Sequence, residues 1–477
     1  MSMEKCVSDL FAIAKRCDRV GPMKPPVSRR MILLGLASSC AIAPTVLHAN
    51  RIDQGDAVHI SQHRSGDADG SRWKNSASLR DLSRLAAQAT QGQYFLLGVK
   101  DDERSIEWSG QQVRLNAGGT DEAPLSLSLG SITATGDFEL ATSLQDPAPF
   151  SMTGNETGPE ERPDVGGDPF MVLGPQCSNL KINGPRYDRS GGRGFFRLDT
   201  DGLLSNLVFS GVHARTAGRV IESTDGTLVE GLLVEDCSAI GLIRGFARFR
   251  DLSNAEFRDL DLDADFLDGG GNAVCQIIKV NRGQDLTFRR LRLANAVNIL
   301  GAEERGSSYI QGDGLVLEEG TRAVLIEDCH AIDMGDGGFD LKSNGVNMRN
   351  CSTVRCKYGI RIWSHDSTNL LENCSMKEPI SWPRNAGSCL WVGGTLTARD
   401  CLLESAGDMS PIRFGSVPDD NAPDPTLRVE GGEIVFSEGA GLIVGEAGTI
   451  ILEKVLVNGV ETSGEFRWDG DRLAEIR

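Results

Sequence analysis

The stretch "GDGGFDLKSNGV", residues 335–346, sets an acid and a base two positions apart, Asp340 and Lys342, with Phe339 and Leu341 in the alternate slots. In a strand, both charges leave by one face while the apolar pair enters a core. Similar strands flank it: "DGLVLEE", "YGIRIWS", "SCLWVGG" and "SPIRFGS". Aligned on their inward pairs, they put Val316, Asp340, Arg361, Trp391 and Arg413 in one outward slot, and Glu318, Lys342, Trp363 and Gly393 in the next. Indoles among acids and bases on one exposed wall suit a sugar polymer, because indole faces stack on sugar rings. Two bond-breaking chemistries fit these residue types. Abstraction of the proton α to a uronate carboxylate, with expulsion of the glycosidic oxygen, needs a base, a cation on the carboxylate and a proton donor. Hydrolysis needs two carboxylates, for which Asp313 and Asp336 fall in neighbouring turns. The plainer account is a ladder of ion pairs, Asp340 with Arg361 and Glu318 with Lys342.

A repeat must position these residues. The phrases "LLVEDCSAI", "VLIEDCHAI", "VNMRNCSTV", "LLENCSMKE" and "LTARDCLLE" recur, and Cys329, Cys351 and Cys374 are 22 and 23 residues apart. A period in the low twenties means a solenoid. Short strands broken by Gly, Asn or Asp, without helical periodicity, reduce the choice to an all-β parallel β-helix. Each coil stacks ~4.8 Å above the last, so equivalent slots form columns. The interval from Leu291 to Cys329 carries an insertion, "GAEERGSSYIQGDG", and "EPISWPRNAG" and "SVPDDNAPDP" lengthen later coils. Long loops beside one face of a solenoid wall a cleft. Upstream, "SASLRDLSRLAAQATQGQYFLLGV" reads as a short amphipathic helix leading into a strand, suited to capping the open end of the coil. The expected organisation is residues 1–49 as an export signal, 50–175 as N-terminal cap and first coils with long loops, 176–468 as the β-helix, and 469–477 as a tail.

On this period and the Asp-Cys or Asn-Cys phrase, residues 176–468 resemble the right-handed parallel β-helix family of pectate lyases, polygalacturonases, alginate and chondroitin lyases and related epimerases. The resemblance implies that Lys342 and Arg361, one coil apart, are catalytic in β-elimination. Trp363, His365, Trp391 and Arg413 are then the substrate contacts, and Asp313, Glu318, Asp336 and Asp340 the oxygen ligands of a Ca²⁺ ion. Calcium also answers a physical objection. Glu318 and Asp340 hold the proton on Lys342, whereas a general base needs its pKa lowered, and a cation on those carboxylates reverses the local field. The chain departs from the family in places. The polygalacturonase strings do not occur together, and "YGIRIWSHDST" has Arg361 where the alginate epimerase motif has Asp. The expectation is a lyase acting on a uronic-acid polysaccharide. A hydrolase, an epimerase and a non-catalytic carbohydrate-binding or structural β-helix are the alternatives.

The 477 residues include 56 Gly and 18 Pro and carry a net charge of −18. That charge disfavours nucleic acid and anionic membranes as partners. An acidic polysaccharide needs local basicity, which Lys342, Arg349, Arg355, Lys357, Arg361 and Arg413 supply; a monomer with no transmembrane anchor is expected. "SRRMILLGLASSCAIAPTVLHAN", with Arg29, Arg30 and a cleavable Ala49, resembles a twin-arginine signal, with Ile32 and Leu34 as departures, and implies a periplasmic or secreted protein. Five cysteines share one inward slot that Val and Leu fill in other repeats, so they read as buried free thiols rather than disulfides. Cys356, in a charge-rich turn, is the one to watch for reactivity. His59 and His63 have helical metal spacing without a third ligand.

Overall fold

The Asp-Cys and Asn-Cys phrases are corners. Asp236, Asp328, Asn350, Asn373 and Asp400 have φ between +49° and +54°, the left-handed region that Asn and Asp enter at least cost. The chain turns there, and the residue that follows, Cys237, Cys329, Cys351, Cys374 or Cys401, points into the core with its side chain buried. Side-chain amides stack along the corner, Asn373 Nδ2 donating to Asn350 Oδ1 at 2.8 Å and Asn350 Nδ2 to Asp328 Oδ1 at 3.2 Å. The phrase therefore encodes two things at once, a turn and an inward side chain.

The computed structural model describes residues 57–89, 92–98, 112–129, 169–190, 194–270, 272–382, 386–415 and 423–476, with short strands at 106–107, 132–134, 138–140 and 150–151. The proposed export segment, with Arg29 and Arg30, lies outside the described residues. Later coils consist of three short strands each: Gly337–Leu341, Asn344–Arg349 and Ser352–Val354, then Tyr358–Ile362, Leu370–Glu372 and Ser375–Lys377. Every strand pairs in parallel with its counterpart one coil on, as in Phe339 with Ile360 and Ile360 with Leu390. In the middle of the solenoid the strands Leu228–Leu242, Ala247–Asp263 and Gln276–Ala294 run through a corner unbroken. Parallel pairing begins at Ala57–Ser61, which pairs with Tyr94–Leu97, ahead of residue 176. The last coil ends differently: Val460–Trp468 folds back antiparallel on Gly448–Val457, and Leu473–Glu475 adds to it.

Period-two alternation fills the core with columns. Leu315, Phe339, Ile360, Leu390 and Ile412 stack as one, and Leu317, Leu341, Ile362, Val392 and Phe414 as the next, all buried. Each such side chain contributes roughly 1.5–3 kcal/mol by leaving water. The expected N-terminal helix is a single short one, Leu82–Ala87, entered through a capping box on Ser78 and Asp81. Leu79, Leu82 and Ala86 join the same apolar core. The nine described cysteines are free and buried. Cys356 is among them, and burial pushes its thiol up to about 12, so its sequence-based promise of reactivity is overturned: a thiol that stays protonated is a poor nucleophile. His59 is structural too, Nδ1 lying 3.1 Å from the Gly70 carbonyl and the ring edge-on to Trp73. Among the described residues no helix is long and apolar enough to cross a membrane.

Candidate functional site

The outward columns assemble as their spacing predicts. Val316, Asp340, Arg361, Trp391 and Arg413 are successive register partners. A second column, in which Gln276 pairs with Asp313 and Gly337 with Tyr358, runs beside it. Gly337 opens the space in which the two columns meet. A Cβ on Gly337 would lie 3.2 Å from Asp313 Oδ1, 3.3 Å from Asp340 Cβ and 3.6 Å from Arg361 Cδ. A glycine at this position lets Asp313 and Asp340 approach more closely than a Cβ would comfortably allow, with Arg361 at ordinary contact distance from that position.

Asp336 anchors the buried side of this cluster. Its Oδ2 accepts from Tyr309 Oη at 2.6 Å and from Arg361 Nη1 at 3.1 Å, and its Oδ1 from Lys357 Nζ at 3.2 Å. Lys357 is wholly buried against the faces of Tyr309 and Tyr358, its ammonium 3.7 and 4.8 Å from the ring centres. Burial lowers its pKa despite the attraction of Asp336. Burial first, and then the Asp336 charge, raises the Tyr309 phenol. Tyr309 does not stand out in the sequence as a site residue, and Lys357 is foreseen only as part of the local basicity, not as the buried partner of Asp336. Tyr309 lies in the insertion that predicts a cleft wall, and Lys357 just before a strand, where alternation assigns no direction.

Asp340, 5% exposed, lies beside the part-exposed Trp363 and Lys342 on the outward sheet, the face that is the candidate substrate trough. Its Oδ1 accepts from Trp363 Nε1 at 2.7 Å and its Oδ2 from Lys342 Nζ at 3.0 Å, while Arg361 Nε stands 3.7 Å away. Lys342 also bonds Glu318 at 2.8 Å, and Glu318 in turn holds Lys279 at 2.6 Å. Burial works to strip the proton from Lys342, but Asp340 and Glu318 outweigh it and hold the ammonium above its ordinary pKa. That is the wrong direction for a general base. Asp313 differs from its neighbours. Burial, with Asp336 and Asp340 beside it, pushes its carboxyl up to about 7, against a hydrogen bond from the Gly337 amide at 2.8 Å.

The remaining expected contacts fall unevenly. Trp363 is part-exposed, and its ring centre lies 4.3 Å from that of Trp391. Trp391 itself is only 7% exposed, which corrects the expectation of two projecting indoles. It lies flat on the wall because Gly393 and Gly415 have no side chains; a Cβ at either would come within 2.6 and 2.3 Å of its ring. Arg361 is sandwiched, 4.7 Å from the Trp363 ring and 5.4 Å from that of Trp391. Buried and ion-paired, it acts as a fixed positive charge. Both ring nitrogens of His365 are buried without a hydrogen-bond partner, as is Arg413 Nε. Trp382, from the second long loop, donates to the Gly335 carbonyl at 2.8 Å and so ties that loop to the strand entrance beside Asp336.

Asp313, Glu318, Asp336 and Asp340, the expected oxygen ligands of calcium, are surrounded by cationic side chains. Among the described residues no three His, Cys, Asp or Glu side chains converge on a point suited to a metal ion. Glu318, Asp336 and Asp340 are each already engaged by ammonium or guanidinium groups. A divalent cation there would stand among Lys342, Lys357 and Arg361 and meet their repulsion.

Residues 278–376 match a family model described as the right handed beta helix region. Comparison with curated proteins gives no match. Among solved structures, the catalytic domain of an α-1,3-glucanase of glycoside hydrolase family 87, in complex with nigerose, is similar with a TM-score of 0.51 at 8% identity, over 82% of this chain and 66% of that one. A lacto-N-biosidase of glycoside hydrolase family 136 from Eubacterium ramulus has a TM-score of 0.47 at 12% identity, over 85% of this chain and 68% of that one. An alginate lyase from Paenibacillus sp. has a TM-score of 0.34 at 12% identity, over 80% of this chain and 99% of that one. The chain thus has the right-handed β-helix fold, and it spans about two thirds of the length of the glucanase domain.

Proposed function

We propose that the chain is a carbohydrate-active enzyme that hydrolyses a glycosidic bond of an acidic polysaccharide lying along the trough. The observation that carries this reading is the pairing of unlike carboxyls around Gly337: Asp313, whose carboxyl is pushed up to about 7 by burial and by Asp336 and Asp340, beside Asp340, which is held by Lys342 and Trp363. Two acids whose surroundings separate their roles are what glycoside hydrolysis uses. Asp313 protonates the glycosidic oxygen as the bond to the leaving sugar breaks. Asp340 serves the anomeric carbon from the trough side, either taking the proton of an attacking water or attacking directly. Arg361 stays charged between the acids, and the edge of Trp363 supports a sugar ring. The similarity to a glucanase fold supports a carbohydrate substrate without identifying it. The export-signal reading would put the enzyme in the periplasm or outside the cell.

β-Elimination is the second reading, favoured by one observation. Lys342 is a part-exposed cation 5.6 Å from the Trp363 ring, where a bound uronate would meet it. The raised pKa of Lys342 argues against its acting as the base. Incubating the protein with pectate, alginate and glycosaminoglycans separates the two. Hydrolysis yields new reducing ends without unsaturated uronate absorbance, and Asp313→Asn abolishes them. Appearance of that absorbance, lost in Lys342→Ala, would establish elimination instead. Retention on immobilised polysaccharide without any product would leave a binding protein.

A further inference from the structure

The outward column that holds Asp340 continues toward the N-terminal coils as Val316, Lys279, Arg248, Glu222 and Arg197, by successive register pairs. Beside it, Arg219 stands two residues before Ile221, as Asp313 stands two before Leu315. Ile221, Ala247, Ile278 and Leu315 are successive register partners. Arg219 therefore occupies the Asp313 column three coils earlier, about 14 Å along the axis at ~4.8 Å per coil.

Arg219 is only 3% exposed. Its Nη2 donates to the Arg244 carbonyl at 3.0 Å, but its Nε and Nη1 are buried without a hydrogen-bond partner, as is Nε of Arg248. The sole carboxylate among the charges acting most strongly on Arg219 is Glu222, set against the guanidinium groups of Arg244 and Arg248. Glu222 is shared: Arg248 Nη1 lies 3.9 Å from it, at the limit of an ion pair. Burial pushes the Arg219 guanidinium down to about 10, which still leaves it charged at neutral pH. A buried cation short of partners is costly. An oxyanion bound between Arg219 and Arg248 would satisfy several of these donors at once.

We propose that Arg219 and Arg248, flanked by Arg244, form an oxyanion subsite that receives a carboxylate or sulfate group of the substrate chain three coils from the acid cluster. Arg219 forms the floor, and Arg248, with its side chain 21% exposed, forms the rim. The proposal rests on the trough being a polysaccharide site, and it adds where an anionic group of the substrate is held and that the substrate extends toward the N-terminal coils. It also resolves how a chain of net charge −18 holds an acidic polymer.

The test is calorimetric titration of the full chain with D-glucuronate and, separately, with inorganic sulfate. Wild type should bind at least one of them, and Arg219→Met and Arg248→Gln should bind it at least tenfold more weakly. Asp340→Asn should bind it as wild type does, even though hydrolysis is lost, so failure of the hydrolase reading leaves this result standing. Binding of glucuronate alone identifies a uronate subsite, and binding of both identifies a general oxyanion subsite. On an acidic polysaccharide that is cleaved, Arg248→Gln should raise KM with little change in kcat, because the scissile bond lies coils away. Arg219→Met removes a poorly paired buried charge and should melt no lower than wild type. If it misfolds, Arg248→Gln carries the comparison. No binding of either anion by wild type, or equal binding by wild type and Arg248→Gln, overturns the proposal.

Discussion

Two sets of ion pairs on this solenoid look alike as a list of partners and differ in everything that matters energetically. At the corners, Arg290 meets Asp259 at 2.6 Å with the two side chains 51% and 38% exposed, and Arg355 meets Asp333 at 2.7 Å. In the trough, Arg361 meets Asp336 at a longer 3.1 Å with the side chains 10% and 5% exposed. The shorter contacts are the weaker ones, because water screens them and exposed side chains lose entropy to hold them. The trough pairs have given up hydration worth several kcal/mol per ion, so stability is a poor reason for them to exist. Close geometry marks the wall, and costly burial marks the site.

The sharpest way to break this comparison is to remove one charged partner from each set. Asp336→Ala leaves Lys357 and Arg361 buried without their main partner and should cost about 3–5 kcal/mol in denaturant unfolding. The pH dependence of Asp313 comes next. Its folded pKa of about 7 lies above the ~3.9 of an unfolded aspartate, so the folded state holds an extra proton between those values. The resulting stabilisation is full below pH ~4 and is lost as pH rises through 7, at up to about 1.4 kcal/mol per pH unit. Asp313→Asn should flatten that slope, and wild-type hydrolysis should decline above pH 7 as the proton donor is lost. Gly337→Ala tests the convergence itself. The added methyl presses on Asp313 and Asp340, which must give by a few tenths of an ångström, so activity should fall at least tenfold while stability drops by only about 1 kcal/mol. Arg355→Ala is the smallest change and should shift unfolding by less than about 1 kcal/mol; a loss of several kcal/mol would sink the distinction between wall and trough.

Much of the architecture is readable before any coordinates, because two periods overlap in the chain. The coil period aligned Val316, Asp340, Arg361, Trp391 and Arg413, and alternation within each strand told inward from outward. The five corner cysteines were legible for the same reason. What escaped came from outside the strands or from the next coil. Tyr309 and Trp382 reach the trough from insertions, where no period constrains direction. Lys357 sits at a strand entrance. The burial of Trp391 depends on two glycines, neighbouring Gly393 and Gly415 of the next coil. The calcium expectation meets a related obstacle. Stacking brings Asp313, Asp336 and Asp340 near one another, but the same stacking interleaves Lys357 and Arg361, which take the oxygens first.

The thiol column at the corners gives the molecule a preferred order of events. Once wound, the coil shields its cysteines from oxidants. While still unwound, it presents them as reactive groups, Cys329, Cys351 and Cys374 only 22 and 23 residues apart, ready to join in the wrong pairs. Folding must therefore precede oxidation, and recovery from denaturant should succeed with reductant present and fail when an oxidant is added before winding is complete.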